Sequence, residues 1–158
     1  MSSVSFVTVT NSFNRRDLME MALPSLIAAL KRLPLDSAII VFDAGSTDGS
    51  RDYVRQLADK HPNLPIHLLE PEPADRSSFA DGCNQAIACA QEWFPDLEWC
   101  LFYETDNLFV NPDALSPAVQ FLDNEKRLGG TGFTVERMDG QKTGYGCRFP
   151  GVLSFVFG

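Results

Sequence analysis

Apolar residues follow two alternating patterns along the chain, short continuous runs and longer stretches with helical spacing. The runs are rich in β-branched and aromatic residues and predict buried strands. They lie at residues 4–10, 38–43, 65–70 and 98–103. After each run, apolar side chains recur every three or four residues, as in amphipathic helices. These helices are expected at residues 18–33, 51–61, 79–94 and 112–127.

This alternation of strands and helices predicts the fold class. Strands that each lead into a helix pair in parallel, with right-handed crossovers and helices on both faces of the sheet. Continuous rather than alternating apolarity agrees, because parallel strands are buried on both faces. We therefore expect an α/β fold with three layers and a mostly parallel central sheet. A glycine-rich strand is expected at residues 129–135, Pro24 should kink the first helix, and Pro112 should open the last.

Composition limits the classes of partner. The chain of 158 residues fits a single domain and has a formal net charge of −8. That charge argues against nucleic acid or an anionic membrane as the main partner. The 4 cysteines lack CxxC spacing, which favours buried thiols over a disulfide framework or a zinc site. Without a signal peptide or a run of ~20 apolar residues, a cytoplasmic protein is expected.

Polar clusters follow the predicted strands, where parallel sheets bind ligands. The first, "NSFNRRD", offers Phe13 as a stacking surface, Asn14 as a helix cap and Arg15 as a cation for phosphate. The alternative is a capped helix with solvated arginines. In "DRSSFADGCNQ", Arg76 and the start of the following helix are placed to meet an anion, unless Arg76 is merely solvated.

The cluster "VFDAGSTDGS" ends a buried strand with a carboxylate, Asp43. Ser46 or Thr47 is a good N-cap for the next helix, and Asp48 suits its dipole. These structural roles do not explain Asp43. A carboxylate at that position is able to accept hydrogen bonds from an imide or a ribose hydroxyl of a ligand.

The cluster "ETDN" places two acids one residue apart after the fourth strand. In an extended segment, Glu104 and Asp106 would point the same way and face one divalent cation. Hard oxygen ligands at the mouth of a parallel sheet suit Mg²⁺ or Mn²⁺ on a diphosphate. The alternative is that Asp106 or Asn107 only caps a turn.

In this order, the clusters resemble the family 2 glycosyltransferases of the Rossmann-like GT-A fold. "SFNR" is similar to that family's "TYNR", and "IIVFDAGSTDGS" to its "IIVVDNGSTDGS". "SSFADGCNQAIACA" resembles its "GFAAGNNQGIRAA", and "LFYETDNLFVNPDAL" stands where the family carries its DxD-type metal site. "LGGTGF" resembles the next core strand. The resemblance covers about residues 4–135.

The resemblance implies roles for individual residues. Phe13 and Asp43 would hold the nucleobase of a sugar nucleotide, and Asn84 would lie beside the donor pocket. Asp106 would be the principal ligand of Mg²⁺ or Mn²⁺ on the diphosphate, with Glu104 assisting. The metal offsets negative charge on the departing nucleoside diphosphate while an acceptor hydroxyl attacks the anomeric carbon and inverts it. A UDP- or dTDP-sugar is the favoured donor.

The resemblance also implies a missing part. The acceptor half of the family, with its catalytic base, is expected beyond residue 158, so the chain is interpreted as one truncated GT-A domain over residues 1–158 and the base is left unassigned. A glycan or lipid-linked acceptor and peripheral association with the inner face of the membrane would be usual for the family. Two alternatives stay open: a nucleotide-sugar-binding module without transfer activity, and a nucleotidyltransferase. The second would need a glycine-rich loop after the first strand, and "TNSFNRRD" has no glycine.

Overall fold

The computed structural model describes residues 3–70 and 78–143. Strands and helices alternate along the chain as predicted. The elements are β1 (Phe6–Ser12), α1 (Arg16–Leu30), β2 (Ser37–Asp43), α2 (Ser50–Lys60), β3 (Ile66–Leu69), α3 (Phe79–Trp93), β4 (Trp99–Phe102), α4 (Leu115–Asn124), β5 (Val135–Glu136) and β6 (Lys142–Thr143). The chain divides into two compact units, Met1–Pro117 and Ala118–Gly158.

The first unit is built on a parallel sheet with the strand order β3-β2-β1-β4. β1 lies between β2 and β4, with Ser12 beside Asp43 and Val9 beside Phe102. β2 in turn pairs with β3 in the same direction. All of these strands run the same way, so their carboxyl ends meet at one edge of the sheet. The prediction of an α/β fold with a parallel central sheet is confirmed.

Helices pack on both faces of this sheet, which explains the continuous apolar runs. On one face, side chains of β1 and β2 form a core with small residues of α3; the core includes Val7, Val9, Ala38, Ile40, Ala86 and Ala90. Ser12 lies on the opposite face of β1, and its hydroxyl is 3.0 Å from the sulfur of Met19 in α1. The result is the expected arrangement of helix, sheet and helix.

The helix boundaries differ from the prediction by up to three residues, most clearly at the start of α4. α1 runs through Pro24 from Arg16 to Leu30. α4 begins at Leu115 rather than at Pro112, because Asn111 first forms a turn. Its side-chain oxygen accepts a hydrogen bond from the Asp113 N–H at 3.0 Å, and its carbonyl oxygen accepts one from the Ala114 N–H at 3.2 Å. The expectation that Pro112 opens the helix is therefore wrong.

The expected glycine-rich core strand is not formed. Residues 129–134 have no regular secondary structure, and only Val135 joins a short antiparallel pair of β5 with β6 in the second unit. A Cβ atom added at Gly130 or Gly132 would meet no atom within 4 Å. Glycines provide no side chain to hold a strand against a neighbour, so the apolar residues between them are too few to fix one.

Two further predictions concern the membrane and the thiols. No helix among the described residues has the length and apolarity needed to cross a bilayer. Cys83, Cys89 and Cys100 are free thiols. Cys83 is buried as expected, whereas Cys100 is exposed, because it lies on the edge strand β4. Cys147 lies outside the described residues.

Candidate functional site

A cleft of about 290 Å³ opens where the carboxyl ends of β1, β2 and β4 meet. Its walls come from these strand ends, from the loops that follow them and from the start of α3. The lining residues are Asn11, Ser12, Phe13, Arg15, Phe42, Ala44, Ser78, Phe79, Glu104, Thr105 and Asp106. The structure thus brings Phe13, Arg15, Glu104 and Asp106, all predicted from the sequence, into one cleft.

Glu104 and Asp106 belong to a tight turn. The Asn107 N–H donates to the Glu104 carbonyl oxygen at 3.1 Å, which closes a four-residue turn. β4 ends at Phe102, so the expectation that the two acids lie in an extended segment is wrong. The turn nevertheless places both residues in the lining of the cleft. Burial, and then the charge of Asp106, raises the pKa of Glu104 above its ordinary value.

This acidic turn fits a divalent cation that shares its coordination shell with a phosphate. Within residues 3–70 and 78–143, no lysine or arginine forms an ion pair with Glu104 or Asp106. Mg²⁺ is commonly held by one or two carboxylates together with substrate phosphates and water. The described residues contain no group of three or more ligating side chains. A cation at this turn would therefore depend on the ligand's own oxygens to complete its shell.

The loops after β1 and β2 are locked together by hydrogen bonds. The Asn14 N–H donates to the Ser46 hydroxyl at 2.8 Å, and the Asn14 side-chain oxygen accepts from the Thr47 N–H at 2.8 Å. The Asp48 carboxylate accepts from the Arg16 N–H at 2.9 Å. The first turn of α1 is thus capped from the neighbouring loop, and Asn14 does not cap its own helix as predicted.

The start of α2 also differs from the prediction. Its N-cap is Gly49, with a φ of 87°, and not Ser46 or Thr47. The left-handed backbone at Gly49 favours glycine. An added Cβ atom would lie 2.5 Å from a guanidinium nitrogen of Arg16, which is the end of a flexible side chain and can move away. Gly45 also has a left-handed backbone, with a φ of 104°.

Asp43 is buried at the end of β2, with 1% of its surface exposed. Its Oδ1 atom accepts hydrogen bonds from the N–H groups of Gly45 (3.1 Å) and Ser46 (2.7 Å) and from Nε of Arg51 (2.8 Å). Its Oδ2 atom is buried without a hydrogen-bond partner. Asp43 is not among the described residues that line the cleft, so the structure does not place this oxygen at the cleft surface.

The remaining predicted residues lie in different places. Phe13 has 58% of its surface exposed on the cleft, which leaves its ring free to stack. Asn14, with a φ of 51°, and Asn84, on the exposed side of α3, lie outside the lining of the cleft. Arg76 lies outside the described residues. Binding roles for these residues stay predictions.

The amide of Asn11 was not predicted as part of the site. Its nitrogen donates to the Phe79 carbonyl oxygen at 2.9 Å and to the Cys83 sulfur at 3.2 Å, which ties the end of β1 to the start of α3. α3 approaches closely because Gly82 has no side chain: a Cβ atom there would lie 2.6 Å from the Asn11 oxygen. A polar residue ending an apolar strand and a glycine inside a helix were the available signals.

Comparison with known proteins gives a family and a fold. The sequence profile of glycosyl transferase family 2 matches residues 8–148. Among solved structures, the chain is similar to the mannosyltransferase PcManGT from Pyrobaculum calidifontis in complex with GDP-Man and Mn²⁺, with a TM-score of 0.58 and 22% identity over 77% of this chain and 35% of that chain. It is also similar to S. aureus TarS 1-349 in complex with UDP-GlcNAc, with a TM-score of 0.55 and 20% identity over 78% of this chain and 32% of that chain.

These likenesses differ in what they cover. The chain spans about a third of the length of the two solved structures named above. None of the curated proteins matches it significantly. The structural likenesses show a GT-A fold, as predicted, and the family profile extends over most of the chain. The chain belongs to glycosyl transferase family 2.

Proposed function

We propose that this chain is the donor-binding part of an inverting glycosyltransferase, and that its cleft holds a nucleoside-diphosphate sugar with a divalent cation. The observation that supports this most directly is the position of Glu104 and Asp106. Both carboxylates line the cleft at the carboxyl edge of the sheet in a chain of glycosyl transferase family 2. The two solved neighbours carry GDP-Man with Mn²⁺ and UDP-GlcNAc, which is consistent with a donor of this class.

The cleft offers a group for each part of such a donor. The exposed ring of Phe13 would stack on the nucleobase. Asp43 is buried outside the cleft lining, so its unpartnered Oδ2 would have to become accessible in order to accept a hydrogen bond from the base. Arg15, which lines the cleft, would meet the diphosphate. Asn14, Arg76 and Asn84 would make further contacts with the donor. A pyrimidine nucleotide is the favoured donor.

Asp106, assisted by Glu104, would hold Mg²⁺ or Mn²⁺. When bound, such a cation supplies electrostatic stabilisation of the departing diphosphate, which is worth several kcal/mol in comparable sites. That help matters in a chain whose formal net charge is −8, because the protein's own field repels an anionic donor. Among the described residues that line the cleft, Arg15 carries the positive charge that would oppose this repulsion.

The acceptor side of the reaction is also a proposal. An acceptor hydroxyl, on a glycan or a lipid-linked glycan, would attack the anomeric carbon from the face opposite the diphosphate once a base removes its proton. No described residue is assigned as that base. The base and the acceptor site would lie in a part of the protein that corresponds to the two thirds of the neighbours that this chain does not span. Attachment to the inner face of a membrane stays a prediction.

Calorimetric titration with UDP, dTDP and GDP, each with and without Mn²⁺, tests the proposal. We expect a pyrimidine diphosphate to bind at least tenfold more tightly with Mn²⁺, and Asp106→Ala to remove that gain. Asp113→Ala is the matched control, because Asp113 is an exposed acid in the same unit that pairs only loosely with Arg32, at 3.5 Å. Binding that ignores both Mn²⁺ and Asp106→Ala would contradict the proposal. Binding without sugar transfer would favour a module that has no catalytic activity of its own.

A further inference from the structure

The acidic turn is held in place by a buried phenol. Tyr103 directly precedes the turn, with 6% of its surface exposed. Its hydroxyl lies 2.6 Å from the carbonyl oxygen of Asn107, the last residue of the turn, and 3.1 Å from the hydroxyl of Ser25 in α1. A phenol has one proton, and the shortest contact assigns it to the Asn107 carbonyl. Tyr103, which precedes the turn, is therefore hydrogen-bonded to the last residue of the turn, Asn107.

Ser25 connects Tyr103 to the chain that follows the turn. The single proton of the Ser25 hydroxyl lies between two acceptors, the Ala22 carbonyl oxygen at 2.8 Å and the Tyr103 hydroxyl oxygen at 3.1 Å, and its oxygen accepts from the Phe109 N–H at 3.2 Å. The ring of Phe109 stacks on the ring of Tyr103 with 5.4 Å between centroids and 9° between planes. Both flanks of the acidic turn are thus fixed to the same turn of helix α1.

Packing alone does not explain why residues 103 and 25 carry hydroxyl groups. A phenylalanine at position 103 and an alanine at position 25 would fill nearly the same space, without the need to satisfy polar atoms in a buried site. The hydroxyls do connect the helix to the backbone on both sides of Glu104 and Asp106. Two carboxylates that share one cation must be held close together despite their repulsion, and a turn that is free to open would separate them.

We propose that Tyr103 and Ser25 form a positioning pair, whose hydroxyl groups keep the acidic turn in the conformation that binds a divalent cation. This inference rests on the proposed function, because it takes Glu104 and Asp106 to be the cation's ligands. It adds that residues outside the cleft determine how tightly the cation is held. Neither hydroxyl touches the donor or the cation.

The test measures cation affinity and the opening of the turn separately. Tyr103→Phe and Ser25→Ala each remove one hydroxyl, and Tyr53→Phe removes a phenol hydroxyl from α2 as the matched control. Free Mn²⁺ is determined by electron paramagnetic resonance, with UDP present and absent, well below the unfolding temperature. Hydrogen exchange of the Asn107 amide, which closes the turn, is followed in the absence of any metal.

Tyr103→Phe and Ser25→Ala should each weaken Mn²⁺ binding roughly three- to tenfold, the equivalent of one hydroxyl hydrogen bond. Their double variant should weaken it by less than the product of the two, because both act through the same turn. Exchange at Asn107 should accelerate in both variants, and Tyr53→Phe should change neither quantity. Metal-free UDP affinity should be unchanged, which a general loss of structure would not produce.

The outcomes separate this inference from the proposed function. If Asp106→Ala abolishes Mn²⁺ binding while Tyr103→Phe and Ser25→Ala bind it as the wild type does, the positioning role is wrong and the cation site stands. If Asp106→Ala leaves Mn²⁺ binding intact, the cation site is wrong and the positioning role is wrong with it. Should Tyr103→Phe fail to fold, Ser25→Ala decides the question, since it removes only a hydroxyl from α1.

Discussion

Replacing Asp43 by alanine should destabilise the first unit by about 3 kcal/mol. The carboxylate is buried, and its Oδ1 atom holds two loop amides, those of Gly45 and Ser46, together with Nε of Arg51. Alanine leaves all three donors without this acceptor. The loop after β2 would then lose the contacts that set its path towards the cleft.

The size of the destabilisation depends on whether each of the three donors has another partner once the carboxylate is removed. Breaking a buried ion pair from one side costs about 3–5 kcal/mol when the remaining charge is stranded. Arg51 is not stranded, because its side chain is 31% exposed and also lies 3.2 Å from Glu70. An unsatisfied buried amide costs about 1–3 kcal/mol. The Gly45 amide is only partly buried, whereas the Ser46 amide is buried. The lower end of the ion-pair range is therefore expected.

Urea unfolding followed by circular dichroism measures this, with two companion variants. Asp43→Asn keeps an acceptor oxygen and loses only the charge, so about 1–2 kcal/mol is expected. Arg51→Met removes the cation, and a double-mutant cycle with Asp43→Ala should give a coupling energy of at least about 1 kcal/mol. A value for Asp43→Ala within about 0.5 kcal/mol of the wild type, or a coupling near zero, would refute the reasoning.

Three further predictions concern other parts of the chain. Gly82→Ala should cost about 2 kcal/mol by overpacking, because its Cβ atom would lie 2.6 Å from the Asn11 oxygen, whereas Gly130→Ala, with open space around it, should be neutral; equal urea midpoints for the two variants would rule this out. Asn14→Ala should be less stable than Asn14→Gly by about 1 kcal/mol, since φ is 51° there and glycine tolerates it, and the reverse order would disprove backbone strain. Burial lowers the pKa of His67 in the folded chain. As the pH falls below about 6.5, the unfolded chain therefore binds a proton more readily than the folded chain does, and the stability decreases. His67→Gln should flatten that fall between about pH 7 and pH 5, and parallel curves for variant and wild type would argue against it.

The fold followed from local patterns because the first unit obeys them. Apolar runs such as Phe6–Ser12 and Ser37–Asp43 are buried on both faces, and each is followed by a helix. The prediction of a strand at residues 129–135 failed because a strand forms only if a neighbouring strand pairs with it. The sequence around these glycines does not specify that neighbour. The prediction of a helix starting at Pro112 failed for a local reason, since the Asn111 side chain competes for the backbone amides.

The site was predictable only to the level of which loops meet. Parallel topology places "NSFNR", "DAGSTDGS" and "ETDN" at one edge, and the cleft is found there. The partners within the loops were not predictable, because Asn14 binds Thr47 and Asp48 caps α1 across the sheet edge rather than along the chain. The spacing also misjudged the geometry of Glu104 and Asp106. β4 ends at Phe102, and the chain then enters a turn instead of continuing as an extended strand.

Anomalous diffraction from crystals soaked with UDP and Mn²⁺ tests the central claim most directly. The account predicts a manganese peak in contact with the Asp106 carboxylate and the diphosphate, with the uracil against Phe13. A manganese peak away from the acidic turn, or a nucleotide bound outside the cleft, would contradict it.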